Sequence, residues 1–242
     1  MREFVAAIAF LTRLPVPGAD LSSPMHRLPA WFPAVGLLVG ALVGGAYWAA
    51  RLAGLPPAAA AWAAVVAEML VTGALHPDGL ADTADGLGGS SPQRRLEIMK
   101  DPRLGSYGGA ALLLALAGRG VLIDLLPAAG VLPSLMIGHA ASRWMPVWAL
   151  ARYPYARPGG GTGAAFASTG WREILLAAAT TLTAAWFLAG SRGLVAIGVA
   201  ALSGGGATAY LARKLGGITG DVCGAVAEVS LLAALLVMAA NP

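Results

Sequence analysis

The sequence predicts an all-α fold: a polytopic bundle of membrane-spanning helices forming one catalytic unit over residues 1–242. Three observations predict it. Hydrophobic residues make up 57% of the chain and charged residues only 12%, about half the charged share of a soluble globular protein. Mean hydropathy is +0.71. The apolar residues also fall in stretches of about 20, the length a helix needs to cross a bilayer core roughly 30 Å thick.

The same totals exclude other classes. A soluble globule would need more charge to cover its surface, and a disordered chain would need low hydrophobicity and high net charge. The 33 glycines carry no three-residue period, so the chain is not collagen-like. A net charge of +4, scattered along the sequence, is no nucleic-acid footprint. The single Cys223 excludes an internal disulfide framework and a cysteine-based zinc site.

Taken in order, the chain opens with MREFVAAIAFLTRLPVP, about ten apolar residues closed by Arg13 and two prolines. That is too short to span and lacks a small-residue cleavage site, so it predicts a short interfacial or partly inserted helix. Seven spans follow, at about residues 31–50, 57–76, 108–127, 130–150, 172–190, 193–211 and 221–240. Glycine or proline marks most joints: Gly54 and Pro57, Pro127, Gly130, Gly190, and Gly216 with Gly217. No internal repeat stands out.

Positive charge sets the orientation. With residues 1–30 inside, twelve lysines and arginines fall in the inner segments, against Arg51 and Arg192 outside. The amino terminus and the polar loops at about 77–107, 151–171 and 212–220 are therefore placed in the cytoplasm. The outer joints are a few residues long and have no room for a site. The chemistry is expected at the cytoplasmic face.

Its densest part is HPDGLADTADGLGG, residues 76–89. Asp78, Asp82 and Asp85 stand at i, i+4 and i+7, which stacks three carboxylates on one helical face. Like charges so placed repel unless a cation sits among them. Mg²⁺ suits carboxylates combined with phosphate oxygens, so all three are candidate metal ligands. A solvated helix face is the bland alternative. Against it, three of only twelve acids lie within eight residues at a membrane boundary, with Gly79, Ala81, Ala84 and Gly86 leaving room for a ligand or another backbone. Pro77 is tolerated in a first helical turn, so a fresh helix carrying the aspartates is expected near His76.

Next comes MKDPRLGSYG, residues 99–108. Lys100, Arg103 and the hydroxyls of Ser106 and Tyr107 are donors suited to phosphate oxygens, and Asp101 offers a further metal ligand. Lys100 and Arg103 are equally explained as positive-inside anchors. Carboxylates followed by a basic, glycine-punctuated turn predict a pyrophosphate site.

These two motifs closely resemble the cobalamin synthase family, the adenosylcobinamide-GDP ribazoletransferases. FLTRLPVP (10–17), FPAVGLLVG (32–40), YARPGGGTGAAF (155–166) and GGITGDVCGAVAE (216–228) agree, so the resemblance covers essentially the whole chain in order. It implies a multi-pass transferase of the bacterial cytoplasmic (inner) membrane. Such an enzyme joins adenosylcobinamide-GDP to α-ribazole or its 5′-phosphate, releases GMP with Mg²⁺ present, and yields adenosylcobalamin or its 5′-phosphate. The oligomeric state is left open, a homo-oligomer included. The acidic segment also resembles, distantly, the aspartate motif of CDP-alcohol phosphotransferases. Analogy with them implies Asp82 and Asp85 as catalytic groups, Asp85 as general base. Lys100, Arg103 and Arg143 would neutralise the leaving GMP.

Ionisable residues within spans face cavities or partners. Arg143 is expected to bind phosphate or nucleotide, the alternative being a structural pair with Glu68. Arg119 and Asp124 are read as interhelical structural groups, and His139 as a hydrogen-bonded bundle residue. His76 is a candidate substrate contact. Arg157 lies in a loop with Gly159, Gly160, Gly161 and Gly163, which would wrap a phosphate through its amides or merely connect. Thr219 and Asp221 are placed to cap the last helix, with Asp221 also a candidate substrate ligand. Two rival functions exist. A lipid-directed CDP-alcohol phosphotransferase expects an Ala-Arg step where this chain has Ala81-Asp82. A proton-coupled transporter would use Glu68, Asp124 and His139 as a relay.

Overall fold

A computed structural model describes residues 2–18, 24–157, 160, 162–166 and 168–240. Among the described residues the fold is all-α, with one isolated bridge between Tyr155 and Ile218 as its only strand-like pairing. In chain order the helices are α1 (Arg2–Leu11), α2 (Phe32–Leu52), α3 (Pro57–Thr72), α4 (Leu75–Gly86), α5 (Pro92–Ile98), α6 (Ser106–Asp124), α7 (Val131–Arg152), α8 (Trp171–Leu215) and α9 (Gly220–Ala239). Short 3₁₀ turns occupy Met25–Trp31, Ala128–Gly130 and Thr162–Phe166.

α7 is the centre, buried along most of its length and packed against α2, α8 and α9. Lipid tails give no hydrophobic reward for helix contact, so close approach through small residues has to supply it. A Cβ at Gly36 or Gly40 of α2 would collide with the α7 backbone at His139 or Leu135. At Gly204 of α8 it would strike the Ser230 hydroxyl of α9. The outer surface is oily: Phe187 is 81% exposed, Leu202 78% and Leu114 73%, as side chains facing lipid are.

Four helical stretches are long and apolar enough to cross a membrane: Met25–Leu52, Ser106–Asp124, Trp171–Leu215 and Gly220–Ala239. A fifth arises if α3 and α4, bent by 89°, count as one broken span. α7, which carries His139, Arg143 and Arg152, is not among them. The 45 residues of α8 are interrupted at Gly190 (φ 57°, ψ −139°), a conformation only glycine adopts readily. A Cβ at Gly193 would collide with the Ala185 carbonyl. Eight residues of straight helix span about 12 Å, so the two halves fold back on each other, as the expected spans at 172–190 and 193–211 require.

The span expected at 57–76 ends early. Gly73 (φ 61°) and Ala74 (φ 56°) are both left-handed, and together they turn the chain out of α3 into α4. For Ala74 this costs about 1 kcal/mol. The fresh helix begins at Leu75, with Pro77 in its first turn. α4 thus runs at 89° to α3 and carries the acidic segment against α9 and α6. α1 is short, as expected, and buries Ala6, Ala7 and Leu11 against the Met25–Trp31 turn and α2.

Candidate active site

α4 lies against α9 because two glycines let the backbones touch. A Cβ at Gly79 would sit 2.7 Å from the Asp221 carbonyl oxygen, and one at Gly224 would sit 3.0 Å from the His76 carbonyl oxygen. Between these helices, α7 and the amino-terminal segments lies a cavity of about 170 Å³. His76, Asp78, Arg143 and Asp221 line its polar part, together with Gly163 and Cys223.

Arg143 is 1% exposed. Its Nη1 donates to the Ser142 hydroxyl (2.7 Å) and lies 2.7 Å from His139 Nδ1. Its Nε and Nη2 are buried and have no partner among the described residues. The alternative role, a pair with Glu68, is taken by Arg119. That guanidinium holds Glu68 at 2.5 Å and also bonds Glu228 of α9, with all three side chains essentially inaccessible. Arg119 is the interhelical group expected. Asp124 is not, since it is exposed at the last position of α6. The relay a transporter would need is therefore absent: Glu68 is committed to Arg119, and Asp124 lies outside the cluster.

Farther along α4, Asp82 is half-buried and has no hydrogen-bond partner among the described residues. Burial pushes its carboxyl up to about 6, with the negative charges of Asp221 and Asp78 acting in the same direction. Arg157 is the cation that opposes this, and it pairs with Asp221 at 2.5 Å. Thr219 is the N-cap of α9, accepting from the Val222 amide at 3.2 Å. Of the glycine-rich loop, Gly159 and Gly161 lie outside the described residues, while Gly163 borders the cavity.

Asp85 reaches α6. Its two carboxylate oxygens accept from the amides of Gly105 and Gly108, each at 2.8 Å. A Cβ at either glycine would collide with that carboxylate. The basic turn is thereby tethered to the end of α4, outside the cavity. Tyr107 is 68% exposed and borders a shallow hollow with Ala84, Leu87 and Gly88; Ser106 and Lys100 are exposed. Asp101 clasps Arg103 through two contacts of 2.9 and 2.7 Å, and this partner holds its carboxyl down at about 2. The expected phosphate donor Arg103 and the expected further ligand Asp101 thus satisfy one another at the surface.

Among the described residues no three His, Cys, Asp or Glu side chains converge on a point that would hold a metal ion. The donor chemistry still suits a hard cation. Asp78, Asp82 and Asp221 present carboxylate oxygens from two touching helices, close enough to raise the carboxyl of Asp82. Mg²⁺ commonly takes one or two carboxylates and completes its shell with substrate phosphates and water.

Sequence reasoning missed the apolar wall of the cavity, formed by Phe10, Phe32 and Phe166 with Leu11, Pro146 and Leu150. A signal was there: the three rings belong to FLTRLPVP, FPAVGLLVG and YARPGGGTGAAF, which are far apart in sequence and each carry the resemblance.

The comparisons with known proteins agree along the whole chain. A family model described as cobalamin-5-phosphate synthase matches residues 3–239. An adenosylcobinamide-GDP ribazoletransferase of Chlorobaculum tepidum is 40% identical over 246 residues, covering 96% of this chain and 94% of its own. Those of Chlorobium phaeobacteroides (37% over 233 residues; 94% and 93%) and Desulforamulus reducens (36% over 226 residues; 92% and 90%) are similar over nearly as much. No solved structure matches the chain. The match takes in every helix described above, from α1 to α9, and on that ground the chain belongs to the cobalamin-5-phosphate synthase family.

Proposed function

We propose that this membrane transferase joins adenosylcobinamide-GDP to α-ribazole, or its 5′-phosphate, and releases GMP. The product is adenosylcobalamin or its 5′-phosphate. The observation that carries the reading is Arg143: a buried guanidinium whose Nε and Nη2 have no partner among the described residues, on a side chain that lines the same cavity as Asp78 and Asp221. Leaving such donors unpaired is costly, and a phosphate oxyanion satisfies them.

The step is a substitution at phosphorus. A ribose hydroxyl of the ribazole forms a bond to the corrinoid-linked phosphorus, and the bond from that phosphorus to the bridging pyrophosphate oxygen breaks. GMP leaves with that oxygen, and the hydroxyl proton passes to a carboxylate of the acidic segment. Asp85, whose two oxygens accept from the Gly105 and Gly108 amides, orients the basic turn beside the acidic segment. Asp78 and Asp82 would hold Mg²⁺, which when bound neutralises charge on the pyrophosphate oxygens. Arg143 binds the phosphate within the cavity, and Arg157 fixes Asp221 at its edge. Lys100, exposed on the tethered turn, attracts the anionic substrate from the cytoplasmic side.

The active face is the cytoplasmic face of the bacterial inner membrane, with the amino terminus inside. The support for this is the distribution of lysine and arginine. Purified protein tests the chemistry. GMP release should stop with chelator and return with Mg²⁺ or Mn²⁺. Asp82→Asn should abolish turnover while inserting normally, and near-wild-type rates in that variant contradict the reading.

A further inference from the structure

We propose that the apolar half of the cavity seats the flat aromatic base of the acceptor nucleoside, with Phe10, Phe32 and Phe166 as its specificity determinants. This rests on the reaction proposed above and assigns one end of its site to one substrate.

Three rings from three distant segments meet at this wall. Phe10 comes from α1, Phe32 from the start of α2, and Phe166 from the end of the Thr162–Phe166 turn. Phe10 stacks on Phe32 with centroids 6.0 Å apart and planes inclined by 11°. Phe166 meets Phe10 at 4.8 Å and Phe32 at 5.7 Å, both edge-on. Such rings offer the faces and edges that an aromatic guest engages best. Leu11, Pro146 and Leu150 complete the wall.

The same cavity is also lined by His76 and by Arg143, whose Nε and Nη2 are buried with no partner among the described residues. An apolar aromatic wall in one cavity with a cation asks for a ligand of matching polarity: a planar ring system carrying a phosphate or a reacting ribose. The volume, about 170 Å³, is enough for a two-ring heterocycle.

Three such heterocycles belong to the proposed reaction: guanine and the adenine of the adenosyl group in the donor, and the base of the ribazole. Guanine presents a carbonyl and amino edge that must be hydrogen-bonded when buried. Adenine, too, carries an amino group and ring nitrogens that need partners when buried. The side chains of this wall have no polar atom to offer. A benzimidazole-type base, with carbon and hydrogen along its outer ring, leaves nothing unsatisfied there, so the wall selects the acceptor. α1, too short to span, thereby gains a role: it brings Phe10 to the site.

The test uses the full chain in detergent micelles. Saturation-transfer NMR should show magnetisation passing from protein aromatic protons to the base of α-ribazole, with no turnover required. Transfer to guanosine instead, or to neither, overturns the assignment. Kinetically, Phe166→Leu and Phe32→Leu should raise KM for α-ribazole about tenfold, with KM for adenosylcobinamide-GDP within about twofold of wild type. Ribosides bearing a hydroxyl on the outer ring should lose about tenfold in kcat/KM with the wild-type protein. Unchanged acceptor KM in both variants, or a rise confined to the donor, contradicts the proposal. Absence of GMP release from the wild type would instead contradict the parent reaction, and the NMR result would still decide what the wall binds.

Discussion

Arg143 shows how far a single residue's role follows from its position. The sequence placed it within a span on the same face as His139, where a charge must find a partner or a cavity. The structure supplies both. One nitrogen is held by Ser142 and lies beside His139, and the other two are buried with no partner among the described residues. Lysine has one ammonium and no planar fork, so it cannot keep the inner bonds and also bind an oxyanion. Arg143→Lys is therefore expected to lower kcat/KM by roughly 10²-fold with an unchanged melting midpoint, measured as GMP release and thermal unfolding of purified protein. Asp85 makes the complementary point. Its spacing to Asp78 and Asp82 puts it on the acidic face, and nothing in that spacing shows that its carboxylate anchors the start of α6. The partner amides lie 20 and 23 residues away, and only tertiary packing brings them in.

At the level of elements, the site depends on how closely α4 and α9 approach. Gly79 was legible only as a small residue that leaves room, and Gly224 only as part of the GGITGDVCGAVAE motif. What they make room for, each other's helix, needed the fold. Gly79→Val should force the two helices apart at the Asp221 backbone. Overpacking of this kind costs about 1–3 kcal/mol. Activity should fall much further than stability, because His76, Asp78 and Asp221 move relative to Arg143. Parallel measurement of unfolding and turnover separates the two losses. The boundary of α3 was misplaced by a few residues for a plain physical reason. Hydropathy continues through Leu75, while the left-handed Gly73 and Ala74 that turn the chain leave no mark in a hydropathy window. The joint at Gly190 was read correctly because glycine itself is the mark.

For the whole molecule, scarcity of charge makes the few buried ions consequential. Glu68 of α3, Arg119 of α6 and Glu228 of α9 tie three helices together beneath the site, and His139 lies 3.9 Å from Glu68. Removing one member strands the others in a medium that solvates them poorly. Arg119→Met should cost about 3–5 kcal/mol, and the triple change Glu68→Gln, Arg119→Met, Glu228→Gln should recover much of it. Chemical denaturation in mixed micelles reads both. Sequence named Glu68 and Arg119 yet grouped Glu68 with Arg143, because span-by-span reading carries no information on which helices are neighbours. The all-α bundle, the break before α4 and the acidic face were legible, since each is local. The cavity's aromatic wall and the anchoring of the basic turn were not, since each joins distant segments. The most direct measurement is GMP release by the purified protein supplied with adenosylcobinamide-GDP and α-ribazole. One GMP formed per adenosylcobalamin, dependent on both substrates and lost in Arg143→Lys, is the predicted result. GMP release that ignores α-ribazole, or that persists at wild-type rate in Arg143→Lys, would contradict it.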